Sequence, residues 1–112
     1  MEPEDVVIVL STWPASADPA AFATTLVEER LAACVNLLPE MDSVYRWQGT
    51  VERERERQMI IKTTCERLEA LKQRVAALHP YEVPELLVLP VEGGARAYLE
   101  WVRESTASEP AG

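Results

Sequence analysis

The stretch from Gln48 to Arg57 leaves this chain few ways to fold. Gln48-Gly49-Thr50 is a turn signal, and Val51 then leads into Glu52-Arg53-Glu54-Arg55-Glu56-Arg57. As a helix, that run would set Glu52 over Glu56 and Arg53 over Arg57, like charges one turn apart. As a strand, it places glutamates on one face and arginines on the other. The turn before it and the β-branched pair Ile60-Ile61 after it select the strand. Upstream, Ser43, Tyr45 and Trp47 alternate with Val44, Arg46 and Gln48, so the two segments make a hairpin. A ribbon so charged must project beyond the body of a small domain or pair with another chain.

The remaining elements fall into place around this hairpin. Val6 to Leu10 is an apolar, β-branched run expected to be a strand buried on both faces. Asp18-Pro19 offers a cap followed by proline at the first helical position, and helix 1 is expected from about Asp18 to Ala33. Cys34 to Leu38 opens the second strand. Thr63-Thr64 ends the third and offers a cap for helix 2, where Leu68, Leu71, Val75 and Leu78 recur at helical spacing. Pro80 stops that helix. Leu86 to Val91 reads as a fourth buried strand, Gly93-Gly94 as a break, and Tyr98, Trp101 and Val102 as a short third helix.

This order predicts an α+β fold: a ferredoxin-like βαββαβ sandwich with a long β2-β3 hairpin and an extra C-terminal helix. The 112 residues are expected to form one domain, ordered over about residues 5–104, with a frayed tail from Ser105. The two main helices would cover one face of the four-stranded antiparallel sheet. The other face has no cover in this plan, although strands 1 and 4 are apolar throughout. A second copy of the chain is the expected cover.

Composition removes several classes of partner. A net charge of −8 argues against nucleic acid and anionic membranes, which need a basic footprint. No apolar run reaches the ~18 residues of a membrane span, and the acidic stretch Met1 to Asp5 lacks the basic region of a signal peptide. Cys34 and Cys65 belong to no close pair. They read as buried, reduced thiols, and the expected compartment is the cytoplasm. There is no nucleophile elbow, no phosphate-cradling glycine loop and only one histidine, so no enzymatic activity is expected, nor a cofactor required for folding.

The candidate site centres on His79-Pro80-Tyr81-Glu82-Val83-Pro84-Glu85-Leu86. Two prolines stiffen this segment. It displays one imidazole, one phenol and two carboxylates, a plausible set for a divalent cation such as copper or zinc at His79, Glu82 and Glu85. His79 has a plainer role open to it, as a cation at the end of helix 2. Lys62 is suited to an anionic ligand or a carboxylate. Trp13, just after strand 1, lines a pocket or covers the core edge. Tyr45 and Trp47 share a strand face and are expected to pack between subunits.

Four blocks carry a family resemblance: LVEERLAACVN (Leu26 to Asn36), VYRWQG (Val44 to Gly49), KTT (Lys62 to Thr64) and LHPYEVPELLVLPV (Leu78 to Val91). Together they resemble the CutA family of divalent-cation tolerance proteins, over about Val6 to Trp101. The resemblance implies a homotrimer whose long hairpin strands pair between subunits, with a shape like that of the PII signalling proteins. It also implies a role in divalent metal tolerance, with copper bound by some members. Those members look to have a cysteine near the end of strand 1 and a His-His pair before Pro-Tyr; here Ser11 and Leu78-His79 stand there, so metal binding carries over onto His79 alone. Two other functions fit the same plan. One is a PII-like sensor with an anionic metabolite in an intersubunit cleft lined by Trp13, Lys62, His79 and Tyr81. The other is an interaction scaffold that presents the ribbon Glu52 to Arg57 and the tail. The alternating ribbon is also expected to form ion pairs across chains.

Overall fold

The computed structural model describes residues 1–108. Its elements run β1 (Val6–Pro14), α1 (Ala20–Glu28), β2 (Cys34–Trp47), β3 (Thr50–Thr64), a short 3-10 turn (Cys65–Arg67), α2 (Leu68–Leu78), β4 (Leu87–Pro90) and α3 (Arg96–Ser105). The sheet has the order β2-β3-β1-β4, with every neighbouring pair antiparallel. This is the predicted α+β ferredoxin-like arrangement with its added C-terminal helix.

Side chains alternate across the sheet. Val7, Val9 and Trp13 of β1 and Met59 and Ile61 of β3 point to the helix side, where they bury against Phe22 and Leu26 of α1 and Leu71 and Val75 of α2. The opposite face carries Ile8 and Leu10 beside Ile60 and Lys62 of β3 and Leu87 and Leu89 of β4, as the strand register requires. The C-terminal helix covers one corner of that face, where Val102 packs with Val6 and Ala33. The face is therefore not wholly bare, unlike the uncovered face that the strand pattern predicts. Its β4 side is open: Leu87 is 55% and Leu89 45% exposed. β4 is thus a half-buried strand, with Val88 alone of its leucines and valines on the core.

The hairpin is long because nothing interrupts its pairing. Residues Glu40 to Trp47 pair continuously with Thr50 to Arg57, and the register slips once, between Leu37 and Glu40. Pro39 sits in that slip, where a missing backbone donor costs no ladder bond. Gln48 (φ 50°) and Gly49 (φ 82°) are both left-handed, the primed turn that matches strand twist. The ribbon stretches the molecule to 49 × 27 × 23 Å.

Several boundaries moved for local reasons. Helix 1 is shorter than expected: Asp18 Oδ1 accepts from Ala20 N at 2.9 Å, and Arg30 turns left-handed (φ 61°) just beyond the end. Leu31 to Ala33 then drop into the core, Ala33 N donating to Lys62 O. β1 runs on past Leu10 to Pro14 because β3 is long enough to pair with it. Thr63 and Thr64 do not cap α2. The Thr63 hydroxyl donates to Leu31 O at 2.7 Å, and Thr64 Oγ1 lies 3.4 Å from Thr106 Oγ1. Cys34 is half-buried on the open face, not in the core, and Cys65 is half-buried as well. Of the tail expected to fray, residues 109–112 lie outside the described residues.

Candidate functional site

His79 follows the last residue of α2 and leaves the helix in extended conformation (φ −72°, ψ 138°), as the residue before a proline must. Its ring is buried. Tyr81 N–H donates to Nδ1 at 3.0 Å, so Nδ1 holds the lone pair and Nε2 the proton. Nε2 accordingly donates to Thr12 O at 2.6 Å. The imidazole thus fastens the outgoing loop to β1, and neither nitrogen is free for a metal in this state. Nor does the ring serve the carbonyls at the helix end. Trp13 and Tyr81 flank it, each with its ring centre 4.9 Å away.

The loop so fixed forms one wall of a cleft of about 810 Å³, and the hairpin forms the other. Pro80 to Glu85 face Met41, Ser43, Tyr45 and Trp47 of β2, with Glu56, Gln58 and Thr12 on the floor. Two hydrogen bonds cross it: Tyr81 Oη to Glu56 Oε2 at 2.7 Å and Gln58 Nε2 to Glu85 Oε2 at 2.9 Å. Burial first, then the Glu56 carboxylate, hold the Tyr81 hydroxyl far above the usual tyrosine range. Tyr45 is pushed the same way by desolvation and by Glu54, Glu56 and Glu52. Glu56, Glu82 and Glu85 line this space, and no lysine, arginine or histidine does. It is built to favour positive charge.

The sequence-derived site residues separate into groups. Tyr81, Glu82, Glu85, Tyr45 and Trp47 meet in the cleft. His79 stands behind it. Trp13 belongs to β1, not to a loop after it, and lies on the helix side stacked against Phe22 at 4.8 Å. Its Nε1 and Ser11 Oγ are both buried without a partner. Lys62 is on the other side of the sheet, opposite Ile8 and Cys34. One chain therefore does not bring Trp13, Lys62 and His79 into a single cleft, because strand alternation sends Trp13 and Lys62 to opposite faces. Glu56 and Gln58 were missed by sequence reasoning, which placed Glu56 on a solvated ribbon; Glu56 is only 7% exposed. The available signal was its place at the end of the charge run, where Gln58 and Met59 lead back into the body.

These donors do not by themselves enclose a divalent cation. Among the described residues no three His, Cys, Asp or Glu side chains lie close enough together to hold a metal ion. Copper prefers imidazole or sulfur, and the one imidazole is occupied by the chain itself. The described residues of a single copy do not form a complete metal centre.

Residues 7–105 match the family model described as CutA1 divalent ion tolerance protein. The chain belongs to this family. Relatives extend the likeness beyond the fold. The divalent-cation tolerance protein CutA of Thermus thermophilus is 50% identical over 99 residues, spanning 88% of this chain and 96% of that one. Protein CutA, chloroplastic, of Arabidopsis thaliana is 44% identical over 100 residues, which cover 89% of this chain and 55% of that longer one. The solved Cut A1 structure from Thermus thermophilus superposes with a TM-score of 0.87 at 49% identity, covering 91% of this chain and 99% of that chain. Membership in the CutA1 family ties the protein to divalent-cation tolerance in general. Among the described residues no helix is long and apolar enough to cross a membrane.

Proposed function

We propose that the protein serves divalent-cation tolerance as a homotrimer, and that it takes up a copper- or zinc-type ion at the acid-lined cleft. One observation supports this reading above others: the cleft presents Glu56, Glu82 and Glu85 and no basic side chain. An anionic metabolite, the PII-like alternative, finds no cation in the cleft of a single copy. Glu82 and Glu85 are the carboxylates offered to the ion, and the remaining ligands come from a neighbouring copy, since among the described residues of one chain no three donors are grouped closely enough to hold it. His79 holds the Pro80–Glu85 wall in place. Assembly is supported by the open strip of Ile8, Leu10, Leu87 and Leu89, with Tyr45 and Trp47 farther out along the same face, apolar surface that a second copy would remove from water. Binding and assembly require no bond-making step, so the protein is read as a binding protein and not an enzyme. The free thiols Cys34 and Cys65 fit a reducing compartment such as the cytoplasm.

Titration calorimetry with copper and zinc tests the cleft. We expect Glu82→Gln/Glu85→Gln to weaken binding at least tenfold while the oligomer persists in sedimentation. Isotherms that match the unaltered protein would remove the cleft from the account.

A further inference from the structure

The chain's basic residues can be accounted for one by one. Of eleven lysines and arginines, nine have an acidic or carbonyl partner among the described residues. Arg53 and Arg55 reach Asp42 and Glu40, Arg74 reaches Glu29, Lys72 reaches Glu69 and Arg96 reaches Glu100. Arg30, Arg57, Arg67 and Arg103 donate to backbone carbonyls. That leaves Arg46 and Lys62. Arg46 is exposed on the arginine side of the ribbon. Lys62 is half-buried on the open sheet face, between Ile8 of β1 and Cys34 of β2.

The acids of the same face are the mirror of this. Glu52, Glu54 and Glu56 lie on the side of β3 that carries Lys62, opposite Tyr45, Ser43 and Met41. No basic side chain reaches any of them; Glu56 has the Tyr81 hydroxyl alone. The distance forbids pairing within one chain. Glu56 is six residues and Glu54 eight residues along the strand from Lys62, or roughly 20 and 26 Å at ~3.3 Å per residue. One continuous apolar face thus carries a lone cation at one end and a row of carboxylates at the other. Covering the face with anything apolar would strand both sets of charge.

We infer that Lys62 of one copy enters the acid-lined cleft of a second copy and pairs with Glu56 on its floor and with Glu54 in the adjoining pocket, which shares Tyr45 and Tyr81 with the cleft. The cleft is incomplete without this ammonium, and the aromatic wall of Tyr45 and Trp47 gives the cation a second attraction. This rests on the assembly proposed above. It leaves Glu82 and Glu85 for a metal and assigns the hairpin end of the cleft to the neighbouring chain. It also explains why the ribbon alternates: Arg53, Arg55 and Arg57 are settled within the chain, and the glutamate face is reserved for a partner.

Carbodiimide cross-linking of mixed light and ¹⁵N-labelled protein, read by mass spectrometry beside sedimentation, tests the contact. We expect an oligomer in which Lys62 is joined to Glu54 or Glu56 across isotopically different chains. An oligomer in which Lys62 joins other carboxylates, or none, overturns this pairing and leaves the trimer standing. A single-copy species overturns the trimer and the pairing together. Charge reversal gives an independent measure. Lys62→Glu is expected to raise the apparent dissociation constant at least tenfold, and Lys62→Glu/Glu54→Lys to recover most of that loss. An unchanged constant in Lys62→Glu refutes the contact.

Discussion

The Tyr81 hydroxyl donates to Glu56 Oε2 across 2.7 Å and so ties the loop after α2 to the middle of the β3 ribbon. The carboxylate is buried, and no other side chain of the same copy bonds to it. Tyr81→Phe is therefore expected to cost about 1–3 kcal/mol, the range for an orphaned buried polar group. Thermal or urea unfolding measures this. Tyr81→Phe/Glu56→Gln should cost less than Tyr81→Phe alone, because the neutral amide is cheaper to leave unpaired; a double variant that is worse would contradict the pairing.

The neutral His79 imidazole is expected in its Nε2–H tautomer, since Nδ1 accepts from Tyr81 N–H and Nε2 donates to Thr12 O. Long-range ¹H–¹⁵N spectra of the single histidine report this directly. A ring protonated on Nδ1 would be incompatible with the loop conformation described. His79→Ala should loosen the Pro80–Glu85 wall, seen as faster amide exchange at Tyr81.

Acid should dissolve the ribbon's ion pairs before the core. Hydrogen bonds from Arg53, then Arg55, hold the Asp42 carboxyl below its ordinary value. A carboxyl lowered in the folded state stabilises fully above its unfolded pKa, near ~3.9, and that contribution disappears as pH falls through the folded value. Arg55→Ala should thus lower the thermal midpoint slightly at pH 7, less so in high salt, and lose that effect once acid has protonated Asp42 in the folded state. A midpoint difference that persisted in strong acid would place the effect of Arg55 outside its bonds to Asp42 and Glu40.

Two leucines separate folding from assembly. Leu71 is fully buried under α2, and Leu71→Ala should cost about 2–5 kcal/mol as a cavity substitution. Leu89 is 45% exposed on the open face. Leu89→Ser should leave the circular dichroism of the chain intact yet shift the sedimentation profile toward smaller species. Equal loss of secondary structure in both variants would show that the open face is part of the chain's own core.

Much of the fold was legible because its signals are local. The Gln48-Gly49 turn, the alternation through Tyr45 and Trp47, the periodic leucines of α2 and the stop at Pro80 each act over a few residues, and the structure realises all four. The ends of elements were less legible because they are set by distant partners. α1 stops early where Arg30 turns back and Ala33 joins β3, and β1 extends to Pro14 because the ribbon is there to receive it.

The site divides along the same line. The residue types came from sequence alone: one histidine, a stiff Pro-Tyr-Glu-Val-Pro-Glu segment and a ribbon with glutamates on one side. Tertiary structure alone decided what each does. It turned both nitrogens of His79 inward, sank Glu56 beneath Tyr81, and put Lys62 and Trp13 on opposite faces of one sheet. Alternation fixes the side to which a side chain points. Which strand or loop stands there to meet it depends on contacts far apart along the chain, which no local pattern encodes.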